Sequence, residues 1–242
     1  MSWLKSWLWR NVIWRLRSER TTLDHLFRGS ADVHFASKAK PAIEGTFLDR
    51  LQLQNLCMAP SGSHVVVRAS KHGVMLTVEY GLYIPPDSRN VFYIRVDPVT
   101  KELYLYIEYV RFDDAGPHGL GAVAFYRCVQ TCATIGIARI DMLAAGGKSY
   151  KINGAWAERY NGFYSWARFG CNAQLHSITQ TAVDSVPHLA GCKDLLDIIH
   201  IDAAWWKDEG AGGDVSFDLQ EGSRSWETLR AYLFEKGLKL CK

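Results

Sequence analysis

The feature that most constrains the fold is a change of hydrophobic period in the middle of the 242-residue chain. Residues 64–68, 74–84, 91–96 and 103–112 are rich in Val, Ile, Tyr and Phe. Turn signals separate them: His72-Gly73, Pro85-Pro86-Asp87 and Asp97-Pro98-Val99-Thr100. This pattern predicts a meander of antiparallel strands. Then the period lengthens: Phe125, Cys128, Val129 and Cys132 recur at i, i+3, i+4 and i+7, predicting a helix with one buried face that ends near Gly136. Residues 138–145 (ARIDMLAA) read as a buried strand. Strand, loop, helix and strand make one crossover unit, so residues 138–145 are expected beside and parallel to 103–112. Apolar and aromatic residues run almost unbroken through 103–112, which predicts a strand covered on both faces. The fold class expected is α/β: a mixed, mostly antiparallel central sheet flanked by helices, with extra helices at both ends of the chain.

Three regions follow: 1–62, an N-terminal helical segment packing on the core; 63–178, the core itself; and 179–242, a helical extension. Residues 2–20 read as a helix, with Trp3, Trp7 and Trp14 on one stripe and Leu4, Leu8, Val12 and Leu16 on a second. Asn11 and Arg15 intrude between the stripes, so the wheel is not a clean membrane-surface amphipath. Packing against the protein or a partner, a homodimer included, is the first reading and membrane contact the second. A helical stretch is expected over 46–56, an aromatic segment over 153–171, and helices over 195–208 and 226–236 with a Gly-rich turn at 210–213 between them.

Bulk properties exclude several classes. The formal net charge of +3, with no long Lys/Arg block, gives no footprint for nucleic acid. No run approaches the roughly 18 apolar residues of a membrane span. The N-terminus lacks the uninterrupted apolar stretch and small-residue cleavage site of a secretory signal, so a cytoplasmic protein is expected. The six cysteines form no C-x-x-C pair and read as buried free thiols. No His/Cys spacing suits zinc, and no metal is expected.

Between the predicted strand and helix stands DDAGPHGLGAVAFYRCVQ, with Gly116, Gly119 and Gly121 spaced G-x-x-G-x-G. A Gly-rich turn opening a helix presents backbone N–H groups at the positive end of the helix dipole, which suits an anion. The same spacing also suits a plain tight turn. No Lys-Ser or Lys-Thr follows directly, as a P-loop needs, and the dinucleotide fingerprint has the reverse spacing.

The run GPHGLGAVAFYRCVQTCATIGIARIDMLAA, with FYSWARFGC further on, resembles the cofactor motif of the GNAT superfamily of acyl-CoA-dependent N-acyltransferases, over roughly residues 63–175. The resemblance implies a loop whose amides hold the pyrophosphate of coenzyme A, and two splayed parallel strands with the pantetheine arm between them. It implies a cofactor site at Phe112, Gly116, His118, Gly119, Leu120, Gly121, Ala122 and Arg168, filled by acetyl-CoA or another acyl-CoA. Two departures are visible: Gly116 stands where the family has Gln or Arg, and Trp166 where it usually has the Tyr that protonates the leaving thiolate. Tyr164, two residues away, becomes the candidate acid. An acceptor amine must shed a proton, which a carboxylate can take; Glu108 is the candidate base, with Asp113 and Asp114 nearby. Arg111 is a candidate ion-pair partner for Glu108. The function expected is acyl transfer, acetyl in the first instance, to a small-molecule or protein amine. The alternative is a non-catalytic binding protein on the same scaffold.

Overall fold

The computed structural model describes residues 23–36, 42–43, 46–71, 73–148 and 160–238. The helix expected over 2–20, with Trp3, Trp7 and Trp14, lies outside them, as does part of the aromatic segment.

A short 3-10 turn, Asp24–Phe27, precedes β1 (Asp32–Phe35), the small β2 (Ala42–Ile43) and β3 (Thr46–Phe47), and α1 (Arg50–Leu56). The meander follows as β4 (His64–Ser70), β5 (Gly73–Tyr80), β6 (Asn90–Val96) and β7 (Leu103–Tyr109). Then come α2 (Leu120–Thr134), β8 (Arg139–Gly147), α3 (Gly162–Arg168), α4 (Ser177–Asp184), α5 (Leu195–Glu209), β9 (Ala211–Asp218) and α6 (Arg224–Glu235). Seven strands form one mixed sheet in the order β1-β4-β5-β6-β7-β8-β9. The expected crossover is present: β7 and β8 are parallel neighbours, with Tyr104 opposite Arg139 and Ile107 opposite Met142. A second parallel pair, β1 with β4, was not anticipated.

Several expectations are corrected. Only 50–56 of the 46–56 stretch is helical; Thr46 and Phe47 form β3, because Asp49 caps the helix, accepting from the Gln52 amide while Gln52 returns the bond. The glycines at 210–213 are not a turn between helices. From Ala211 onward they begin β9, which runs antiparallel to β8 and closes that edge of the sheet. Gln174 adds an isolated bridge to Asp194 before α4 begins at Ser177. The sheet therefore draws strands from all three regions that the sequence suggested.

One face of the sheet holds the core. Leu105 opposes Ile140, Ile140 opposes Phe217, and all three are fully buried. Phe125 of α2 meets the Phe217 ring edge-on at 5.5 Å, Trp166 of α3 meets Phe125 at 5.1 Å, and Trp226 of α6 meets Phe217 at 5.8 Å. Aromatic edge-to-face contacts thus tie three helices to one face. Cys57, Cys128, Cys132, Cys171 and Cys192 are buried free thiols, as expected, and Cys241 lies outside the described residues.

The other face is built differently, and it corrects the expectation that both sides of 103–112 are covered. Tyr104 and Tyr106 are half-buried and Glu108 is exposed. Arginines do the covering. Arg95 lies 4.5 Å from the centre of the Tyr93 ring and 4.4 Å from that of Tyr106. Arg139 lies 4.6 Å from the centre of Tyr104 and binds Asp97 and Asp141. The Arg68–Glu79 pair, at 3.1 Å, links β4 and β5 diagonally about the Val66–Thr77 cross-strand pair. Each arginine stem lies along apolar surface while its charged end stays polar-solvated or ring-stacked.

Candidate functional site

The loop that drew attention in the sequence sits where β7 ends. The Asp113 amide donates to the Tyr83 carbonyl at 2.8 Å, and the Gly116 amide to the Asp113 carbonyl at 2.9 Å. The Leu120 amide donates to the Pro117 carbonyl at 3.1 Å, and Val123 to Gly119 at 3.0 Å. The helix starts at Leu120, one residue before the third glycine, with Gly119 as its cap at φ 90°. A side chain at Gly119 would be strained by that φ and would strike Leu238, whose Cδ1 lies 2.7 Å from the Cβ position. Among the described residues, the amides of Gly119, Gly121 and Ala122 make no hydrogen bond. These are the orphan donors that open any helix.

Gly121 differs from its neighbours. A Cβ there would meet only the Phe112 ring, at an ordinary 3.7 Å, and its φ is not in the left-handed region. The fold would accept alanine at Gly121, where glycine lowers helix stability by roughly 1 kcal/mol.

Beside the loop, β7 parts from β8. Their ladder stops at Ile107 and Met142, although β7 continues to Tyr109 and β8 to Gly147. On its other side β7 carries a bulge: Phe92 opposes Ile107 and Val91 opposes Tyr109, leaving Glu108 as the extra residue. A bulge bends its strand and re-aims a side chain. The strand fork and the bulge coincide at Glu108. Farther along β8, Asn161 bridges Gly146, so the start of α3 stands at the wide end of the fork.

The helix α3 brings the aromatic residues alongside. Trp166 packs against Phe125 and Phe169, in the helix layer. Tyr164 is half-buried, and Arg168 lies 6.0 Å from the centre of its ring and 5.2 Å from that of Tyr232. Arg168 binds the Glu235 carboxylate at 2.6 Å. Burial, then Glu235 and Tyr164, push the Tyr232 phenol upward, against Arg168, which pulls it down. Leu238, just beyond Glu235, is the residue that packs on Gly119, so α6 joins Arg168 to the loop.

The sequence candidates therefore divide. Phe112, Gly116, Gly119, Leu120, Gly121 and Ala122 form one continuous turn, with His118 exposed on it. Glu108 stands at the fork, and Arg111 faces Asp87 at 3.9 Å. Asp113 is exposed and accepts from the Ala115 amide two residues on at 2.8 Å, a local bond that holds the turn together. Asp114 is exposed. Sequence reasoning missed the bulge, the fork's end point and Glu235, and none of these leaves a local signature. Among the described residues no group of three or more His, Cys, Asp or Glu side chains is arranged to hold a metal, and no helix is long and apolar enough to cross a membrane. Comparison with protein-family models, with curated proteins and with solved structures finds no match for this chain.

Proposed function

We propose that the chain is an acyl-CoA-dependent N-acyltransferase of the GNAT type, transferring an acetyl or related acyl group to an amine. The observation that carries this reading is a coincidence in space. The β7–β8 ladder ends at Ile107 and Met142, the bulge falls on Glu108, and the unpaired amides of Gly119, Gly121 and Ala122 stand beside them. Those amides suit a pyrophosphate. The fork suits the amide-bearing pantetheine arm, because strand backbone groups left without a ladder seek other partners. Gly121, which the packing does not demand, suits a phosphate approaching the backbone closely. In this reading Glu108 takes the proton of the amine and Tyr164 supplies one to the departing thiolate.

A second reading, a binding protein without catalysis, is favoured by Trp166. It fills the family's tyrosine position with a ring packed against Phe125.

Calorimetric titration with CoA and with acetyl-CoA tests the cofactor site. The expected outcome is saturable binding, abolished by Gly121→Val with the melting temperature little changed, since the added branches face Phe112 and the open amides. Absence of binding at millimolar concentration would remove both the enzyme and the cofactor reading. Binding without release of thiol in the presence of amines would favour the second.

A further inference from the structure

Among the described residues, the open face of the sheet carries one arginine without an anionic partner. Arg68 has Glu79, and Arg139 has Asp97 and Asp141. Arg95 has none, and its Nε is enclosed without a hydrogen bond. An enclosed donor left unpaired is costly. The guanidinium is held in place by the two rings beneath it.

Its position is set by register. Arg95 opposes Tyr104, and Tyr93 opposes Tyr106, one row nearer the fork. The guanidinium stands over that second row, so the side chain reaches toward the fork. Next along β7 comes Glu108, the extra residue of the bulge, and Asp214 of β9 stands one row beyond the row of Tyr106, Asp141 and Ser216, opposite Leu143. Glu108 and Asp214 make no ion pair or hydrogen bond among the described residues, whereas Asp141 is engaged by Arg139 and by the Ser216 hydroxyl at 2.8 Å. Burial, then the Glu108 and Asp214 carboxylates, raise the Tyr106 phenol while Arg95 lowers it, as expected if all three charges surround one ring. An unpaired cation on β6 and unpaired carboxylates on β7 and β9 thus bear on the Tyr106 ring.

We propose that this face takes a small zwitterionic amine of the α-amino-acid class as acyl acceptor, its carboxylate on Arg95 and its amine toward Glu108 and Asp214. A guanidinium binds a carboxylate through paired N–H donors, and the amine of such a molecule lies only a few ångströms from its carboxylate. The inference rests on the acyl-transfer reading above. In the step it implies, the ammonium first gives one proton to Glu108, which passes it to solvent. The free amine then attacks the thioester carbonyl carbon. The C–N bond forms, the C–S bond breaks with its electron pair on sulfur, the second amine proton goes to Glu108, and coenzyme A leaves as the thiol after taking a proton from Tyr164.

The test uses the full chain with acetyl-CoA, reading free thiol. Phenylalanine, leucine, glutamate and lysine are each compared with the corresponding α-amide, in which the α-carboxylate is lost and the amine kept. Release of thiol with at least one acid, and at least tenfold slower release with its amide, is expected. Arg95→Gln should raise the acceptor KM by about 10- to 100-fold with little change in kcat, the loss of one charge-assisted pair. It should also erase the difference between acid and amide, while Arg95→Lys restores part of it. Affinity for CoA, measured separately by calorimetry, should be the same in wild type and Arg95→Gln. Equal rates with acids and amides, an unchanged KM in Arg95→Gln, or CoA binding with no turnover of any acid would each overturn the acceptor assignment and leave the cofactor site standing. Failure of the wild type to bind CoA would instead remove the acyl-transfer reading, and the acceptor assignment with it.

Discussion

The two faces of the seven-stranded sheet are covered by different chemistry. On the helix face, Leu105, Ile140 and Phe217 are sealed by Phe125, Trp166 and Trp226, apolar area fully removed from water. On the other face, Arg68, Arg95 and Arg139 lie over or beside strand side chains that no described helix seals. The first solution is tight and allows no exchange of partners. The second is a layer of salt-bridged and ring-stacked side chains, individually weak, through which a ligand can compete for a charge. A protein that must hold its fold and admit a substrate can assign one task to each face of the same strands.

The largest effect should come from the helix face. Phe217→Ala removes the ring that both Phe125 and Trp226 contact, and should cost about 3–5 kcal/mol in urea unfolding. A loss below about 1 kcal/mol would mean the helices are held by something else. Next comes the acid limb. Amides of Thr100 and Val99, then Arg139, hold the Asp97 carboxyl down to about 2. Its folded value lies below the usual carboxylate range, so its contribution is complete above that range and is lost as pH falls through about 2. Asp97→Asn should flatten the fall in melting temperature between about pH 4 and pH 2. An unchanged slope would show that the bonds of the Asp97 carboxylate to these amides and to Arg139 carry no stability. The smallest effect should be Glu79→Gln, under about 1 kcal/mol for a partly exposed pair. If it rivals Phe217→Ala, the open face is a second core and the contrast between the faces fails.

How much of this was legible in the sequence follows from how local each signal is. The meander and the helix at Phe125 were readable because alternation and the i, i+3, i+4 period are written within a few residues. The β7–β8 adjacency was readable because the crossover rule connects consecutive elements. By contrast, β9 begins in Ala211-Gly212-Gly213, residues poor in strand propensity, and gains its place by pairing with β8, Gly213 opposite Ala144 and Ala211 opposite Gly147. The arginine-covered face was hidden for a related reason. Tyr104 and Tyr106 look apolar in a pattern, yet their rings are covered by arginines from Arg95 and Arg139. At the candidate site, the glycines could be counted, but the left-handed Gly119 and the permissive Gly121 differ in backbone angle and in what packs beside them, which spacing does not record. The extra residue at Glu108 depends on the spacing of Val91 and Phe92 on another strand.

The placement of β9 has a consequence for how the chain emerges from the ribosome. β8 is complete at Gly147, but its antiparallel partner arrives only after α3, α4 and α5 have been made. Until then β8 presents an unpaired edge, a template for the wrong strand. A nascent chain stalled before Ala211 would carry a six-stranded sheet with that edge bare, and the waiting time lengthens because the closing contact is distant in sequence. Slow codons or arrest within α5 would thus be felt as aggregation rather than as a missing helix.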